Sequence, residues 1–404
     1  MSITLPFDII AQIIDTVGEN EDTNLLKELA LVSQRFHQTC SKHLFATVKL
    51  HDADPEGASK KGFVKLLQSR PEIVMYIRKL TYIMGYTYDP TDIKNDDLLS
   101  PILPNFLLTI PHLNSLTINA LGMNWNEINI SLTSAFLHLM HLPTINHIDL
   151  SYIRNFPLSK FTPSVNLHRL DICKLSCTDS LEEDIVVQSE MTPKICEFHA
   201  EDSSLVTTKL LHAKRRDGQP AFDFTDLKGL STCLGNKQSI RFFLQNAKSL
   251  EKLHLSSIGD QNFEELHDIL SASAGTLKVL ELTLSLYEDD DGSVNLPLED
   301  LCEELEAMAG HNILEALSFE VEVRRDETAD DIGSMIQNLE NVLVEPGWSA
   351  LRRVSFKVPV ACCLVQDSGW LSEDIESLLP DKYLNNLSNL ESVTVDFSSY
   401  VFRC

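Results

Sequence analysis

The sequence predicts an α/β protein, with a three-helix N-terminal module followed by an irregular solenoid of curved parallel sheet and outer helices. Three observations carry that expectation. Apolar residues in the first fifty positions fall at helical spacing in three short blocks. Beyond residue 77 a unit of the form apolar-x-x-apolar-x-apolar recurs eleven times along a chain of 404 residues. Helical apolar stripes then occupy several gaps between its copies.

The N-terminal blocks have helix punctuation. Pro6 suits a helix start because its missing N–H costs nothing there, and Asp8 suits the positive helix end. Ile9, Ile10, Ile13, Ile14 and Val17 share one face. Gly18 and the acidic stretch to Asp22 are expected to end that helix. Asp22, Thr23 and Asn24 are competent caps for a second helix carrying Leu25, Leu26 and Leu29. A third segment places Val32, Phe36, Cys40 and Leu44 on an apolar side. Some 45 residues rarely bury a self-sufficient core, so the module should lean on a partner or on the rest of the chain.

The repeated unit begins at Ile77, Leu113, Ile145, Leu167, Ile195, Leu227, Leu250, Leu277, Leu314, Leu351 and Leu390, at intervals of 22 to 39 residues. Its second and third apolar sites run from Leu80 and Tyr82 to Val393 and Val395. Only Thr232 among all these sites is polar. Period-two alternation means short strands with the apolar sites turned inward. Phe263, Leu266, Ile269 and Leu270 make one intervening helical stripe. Leu298, Leu301, Leu305 and Met308 make a second, and Ile332, Met335, Ile336, Leu339 and Val342 a third. A doubly wound α/β domain is the rival architecture, but no Gly-rich phosphate loop follows any strand.

The order Leu5-Pro6-x-Asp8-Ile9-Ile10-x-x-Ile13-Ile14, then Leu25-Leu26-x-x-Leu29-Ala30-Leu31-Val32-Ser33-x-x-Phe36, then Leu44-Phe45, resembles an F-box. Two departures are the long link from Gly18 to Asp22 and Phe36 where Trp is common. The resemblance implies docking on the Skp-type adaptor of a cullin–RING ubiquitin ligase through Leu5, Pro6, Ile9, Ile13, Ile14, Leu26, Leu29, Val32 and Phe36. It implies that the remainder of the chain selects a protein substrate. The strand-plus-helix unit over residues 77 to 400 is similar to the leucine-rich-repeat family. It lacks that family's usual Asn after the strand, and its intervals exceed the usual ~20–29 residues. The implied organisation is 1–50 F-box, 51–76 linker with a connecting helix, and 77–404 solenoid. The implied function is substrate recognition for ubiquitination; a scaffold or trafficking role without ubiquitination is the alternative.

Charge and composition narrow the partners. Lys and Arg number 33 against 59 Asp and Glu, a formal charge of −26. So acidic a chain is not expected to spread over nucleic acid or a membrane surface. No basic-plus-apolar leader opens it, and nine scattered cysteines read as reduced thiols, so an intracellular site, cytoplasmic or nuclear, is expected. Lys209 to Arg216 is a small basic spot, thin as an import signal. Residues 288–331 hold 16 acids against two arginines, which reads as a solvated rim.

No catalytic motif is found, so no enzyme activity, cofactor or metal is expected. The calcium-like segment 287–298 lacks both end ligands, and Cys173 and Cys177 lack a second ligand pair. His147, His199 and His254 read as surface histidines on alternate strands. Substrate contact is expected on the exposed strand face, at Lys252, His254, Glu281, Glu320, Arg353 and Lys357.

Overall fold

The structure is a computed structural model. It describes residues 6–20, 22–52, 58–85, 102–161, 164–177, 186–187, 191–257, 263–285, 298–322, 329–362, 383–390 and 392–403. The chain forms two compact units, residues 1–194 with 209–222, and residues 195–208 with 223–404.

The first unit opens with α1 (Phe7–Glu19), α2 (Thr23–Ala30) and α3 (Gln34–Leu44). Pro6 lies one residue before α1, and the helix ends at Glu19, within the stretch from Gly18 to Asp22 expected to stop it. Gly18 is required for a steric reason: a Cβ there would lie 2.2 Å from the His43 ring on α3. Asp22 Oδ1 accepts the Leu25 N–H at 3.0 Å and caps α2. Ser33 Oγ does the same for Phe36 N–H on α3.

Strand β1 (Thr47–His51) follows at once, then α4 (Ala58–Ser69), β2 (Lys79–Ile83), α5 (Ile102–Leu107), β3 (Ser115–Asn119), α6 (Ile130–Met140), β4 (His147–Ser151) and β5 (Arg169–Cys173). Neighbours pair in parallel and in register, so Val48, Leu80, Leu116, Ile148 and Leu170 form one row and Leu50, Tyr82, Ile118, Leu150 and Ile172 the next. Both rows are buried. Tyr82 also meets Phe136 of α6 edge-on, with ring centroids 5.1 Å apart. The short β6 (Val186–Val187) ends this stretch.

The second unit begins with β7 (Glu197–Glu201), after which α7 (Ser204–His212) leads into β8 (Lys214–Arg215), which belongs to the first unit and pairs there in parallel with β6. The chain then builds β9 (Gly229–Cys233), α8 (Lys237–Asn246), β10 (Lys252–Ser257), α9 (Leu266–Leu270), β11 (Val279–Ser285), α10 (Leu298–Met308) and β12 (Ala316–Glu322). It closes with α11 (Ala329–Val344), β13 (Arg353–Cys362), α12 (Asn385–Ser388) and β14 (Thr394–Arg403). Here the inward row is Phe198, Leu230, Leu253, Leu280, Leu317 and Val354, continued by Val395. Thr232 is buried at its expected site, so even the one polar position points inward.

All eleven repeated units contribute strands, with two corrections. A twelfth strand, β1, precedes them. Its Phe45-x-x-Val48-x-Leu50 has the repeat pattern and was absorbed into the helical module by its leading aromatic, so the sheet starts at Thr47 and not after a linker to residue 76. At the other end Val354 pairs with Val395 and not Val393, a slip of two residues that keeps the same side chains inward. Leu390, read as the first apolar site of the last copy, is correspondingly exposed. Each sequence-predicted helical stripe is a helix, although α9 is only five residues long.

The register yields a paired test. Asp at Leu280 or Leu317 buries an unpaired charge and should cost several kcal/mol, on the order of the whole stability margin of a unit. Asp at the neighbouring Val279 or Ala316, which are only partly buried on the opposite face, should shift the denaturant midpoint far less. Equal losses at both parities would reverse the strand assignment.

Candidate functional site

Two surfaces carry side chains beyond what packing needs. The first is on the N-terminal helices. Their core is Ile14, Leu26 and Cys40, flanked by Ile10, Val17, Leu29, Ala30, Phe36 and Leu44. On α1 the inward set Ile10, Ile14 and Val17 is spaced by four and three residues. Ile9 and Ile13 lie one position back on an adjoining stripe, so the apolar face is wider than the core it covers. Ile13 is 50% exposed, Val32 63% and Leu31 87%, and Phe7, Ile9 and Leu25 are exposed beside them.

The nine residues that the F-box resemblance singles out are therefore divided. Pro6, Ile9, Ile13 and Val32 are on the surface, and Leu29 and Phe36 are half-buried. Ile14 and Leu26 are buried and unavailable for direct contact, because the module spends them on its own centre. Leu5 lies outside the described residues. Phe7, Leu25 and Leu31 were missed. Spacing alone made Leu25 look like a core partner of Leu26, and Leu31 lies just past the end of α2.

A clamp holds α1 to α3 below this surface. Asp15 accepts from Lys42 Nζ at 2.7 Å and from His43 Nε2 at 2.8 Å. The bonds from Lys42 and then His43 lower the Asp15 pKa from its ordinary 3.8.

The second surface is the strand face opposite the inward rows. In the first unit Ser115, His147 and Asp171 form a chain across three adjacent strands. Ser115 Oγ lies 2.9 Å from His147 Nδ1, and His147 Nε2 lies 2.9 Å from Asp171 Oδ2. Arg169 Nε shares both Asp171 oxygens at 3.0 and 3.1 Å. Asp149, in register with Asp171, has its pKa raised by burial, although Ser151 donates to it at 2.8 Å. His147 is thus a partly exposed histidine of the strand face that is hydrogen-bonded at both ring nitrogens.

In the second unit four of the six residues expected to meet substrate are already bonded to neighbours on the same face. Lys252 pairs with Glu281 at 2.8 Å, and Arg353 with Asp396 at 2.6 Å. His254 Nδ1 lies 2.8 Å from Ser231 Oγ and its Nε2 2.9 Å from Thr283 Oγ1. Burial pushes the His254 pKa down, so it is a neutral, hydrogen-bonded group and not a surface charge. Glu320 and Lys357 face each other in register on β12 and β13.

The remaining sequence candidates are structural or lie elsewhere. Lys209 of the basic spot is buried, and Arg215 is bonded to Asp217. Residues 287–297 of the calcium-like segment, Cys363 and Cys404, and residues 323–328 of the acidic block fall outside the described residues. Among the described residues no group of His, Cys, Asp and Glu could hold a metal ion, and no helix is long and apolar enough to cross a membrane.

No protein-family profile matches the chain, and no curated protein does. Among solved structures it is similar to a Bacteroides fragilis protein determined as a structural-genomics target. The identity is 13%, over 86% of this chain and 85% of that one, with a TM-score of 0.35. At that score the likeness carries no argument.

The Asp15 clamp gives a pH dependence with a defined sign. A carboxylate with a lowered folded pKa contributes stability that is present above its unfolded value and is lost as pH falls through the folded one. Asp15→Asn should therefore lower the unfolding midpoint at neutral pH, and the gap from wild type should close below about pH 3.8. A gap of the same size at pH 7 and pH 3 would remove the clamp.

Proposed function

We propose that the chain is a non-catalytic substrate-recognition subunit of a Skp–cullin–F-box type ubiquitin ligase. The three helices bind a Skp-type adaptor, and the strand face presents the surface on which a protein substrate docks. The observation that supports this most is the exposed apolar ridge on a module whose buried centre holds only three apolar residues. Exposed aliphatic side chains that cluster in this way mark an interaction surface. Fully burying each is worth about 1.5–3 kcal/mol, enough for several together to drive a stable complex. Pro6, Ile9, Ile13 and Val32 are the contact residues in this reading, joined by Phe7, Leu25 and Leu31. Ile14 and Leu26 hold the ridge in shape from beneath.

Substrate contact is redistributed by the pairing described above. Lys252, Glu281 and Arg353 are already neutralised, and a substrate charge must compete with an existing partner there. Exposed ion pairs are worth little, on the order of 1 kcal/mol or less, so they can be exchanged. Glu320 and Lys357 in the second unit, and Lys49 and Lys79 on the first unit's strands, make no ion pair among the described residues.

Replacing Ile13 and Val32 together by Glu should reduce co-purification of the adaptor at least tenfold with the unfolding midpoint unchanged. Undiminished capture by the folded double variant would overturn the reading.

One observation favours a different class. Ser115, His147 and Asp171 are the residue types of an acyl-transfer relay, in hydrogen-bonding order. With the His147 Nε2 proton directed to Asp171, Nδ1 would take the Ser115 proton as Oγ attacks an ester carbonyl. The leaving alkoxide would recover that proton, and water would release the acyl group. Against this, the Ser115 N–H is spent on Arg78 O at 3.0 Å, so oxyanion stabilisation would fall to Lys79 on the next strand. Arg169 also draws charge from Asp171. A fluorophosphonate probe separates the readings. Labelling at Ser115 that disappears in His147→Ala would establish the hydrolase, and the recognition reading expects none.

A further inference from the structure

The helical layer of the second unit contains a cleft of about 510 Å³, whose ten lining residues include His267, Ser271, Ala274, Ala307, Met308 and His311. Its origin lies in the uneven repeat. The copies at Leu250, Leu277 and Leu314 are 27 and 37 residues apart, so a short crossover sits beside a long one. The short crossover forms α9, five residues long, and tightens into a 3₁₀ turn at Ser271–Ser273. The long one forms α10, eleven residues long, whose last turn supplies Ala307 and Met308 to the cleft. A tight turn beside a full helical turn leaves space that neither fills.

The chemistry of the walls selects the ligand. No lining residue carries a permanent charge, and six of the ten are apolar. The Asn312 amide is partly engaged, its Nδ2 donating to Met308 O at 2.8 Å and its Oδ1 accepting from Leu314 N–H at 3.2 Å. Ser271 Oγ donates to Asp268 O at 2.7 Å. The imidazoles of His311 and of His267, whose Nδ1 lies 3.7 Å from Asp268 Oδ1, add the ring nitrogens as further polar atoms on the cleft wall. A cation would find no carboxylate in the lining. An anion would meet the field of α10, whose sequence LEDLCEELEAM holds five acids and no base. The volume falls within the range of small-molecule sites, about 300–1,000 Å³.

We propose that this cleft binds a neutral, largely apolar small molecule carrying one or two hydrogen-bonding polar atoms, seated against His267 and His311. The site is in the helical layer of the second unit and not on its strand face, and it does not depend on the ligase reading.

The test is a titration of the full chain with the neutral probe N-phenyl-1-naphthylamine, followed by its fluorescence. A single saturable site is expected, and the anionic probe anilinonaphthalene sulfonate should bind at least tenfold more weakly. Ala307→Phe fills the cleft from an exposed wall position and should weaken the neutral probe at least tenfold. Ala274→Leu narrows the opposite wall and provides the same reading if the first variant unfolds. His311→Phe, at an exposed position, does so if both fail. Absence of saturable binding, equal binding of the two probes, or undiminished binding by any filled variant whose unfolding midpoint matches wild type would overturn the proposal.

Discussion

Everything in this fold depends on parallel strand pairing in strict register. A parallel neighbour cannot be reached by a tight turn, so each strand must be followed by a crossover that carries the chain back to the start of the next. Once the register is fixed, each inward side chain lies on its counterpart in the adjacent strand. Leu253, Leu280, Leu317 and Val354 form such a row, and Phe319 stacks on Phe356 with centroids 5.2 Å apart. A one-residue slip would turn all of these to solvent, which is why crossover length can vary so widely while register does not.

The variation in crossover length shows in how the helices are held. Two of the crossover helices are held by carboxylates from neighbouring helices. Glu304 of α10 accepts the backbone N–H of Glu265 and His267 at 2.8 and 2.6 Å, at the start of α9. Glu340 of α11 is buried and accepts from Asn386 and Leu387 N–H at 2.7 and 3.0 Å, at the start of α12. Each carboxylate satisfies donors that a helix start leaves orphaned, and it suits the positive end. The turns after the strands carry a conformational cost instead of a side-chain ladder. Tyr152, Lys174 and Asp202 each take a left-handed backbone one residue beyond β4, β5 and β7, at on the order of 1 kcal/mol apiece for a residue that is not glycine.

Much of the strand pattern was legible because period two is a strong signal when the inward sites are almost all aliphatic. The two errors have physical causes. β1 was hidden because Leu44-Phe45 reads equally well as the end of a helix and as the opening of a repeat. The last strand slipped by two because Val393, Val395 and Phe397 share a parity, and alternation cannot distinguish a shift that preserves it. The candidate sites were less legible. On the N-terminal helices, apolar residues that fill the core and those that remain outside have the same spacing; only the packed arrangement separates Ile14 from Ile13. On the strand face, the sequence gives the types but not the partners, and Lys252, Arg353 and His254 change character once Glu281, Asp396 and Ser231 stand beside them.

That contrast explains why the two surfaces differ in kind. The strand face satisfies itself: hydroxyls, imidazoles and carboxylates on neighbouring strands close hydrogen bonds at 2.6 to 2.9 Å, as in Ser115–His147, Ser231–His254, Ser318–Ser355 and Arg353–Asp396. A partner docking there exchanges bonds already made, so the net gain per contact is small and specificity comes from the arrangement of many contacts. The helical ridge satisfies nothing. Ile13, Leu31 and Val32 are half or more exposed, and covering them gains apolar transfer free energy without breaking a bond. An unpaired apolar ridge favours affinity, whereas a self-bonded polar face favours discrimination. On the recognition reading proposed above, the two demands fall on opposite surface chemistries, and they are separable in sequence because the ridge lies in the helices before Thr47 and the polar face in the strands after it.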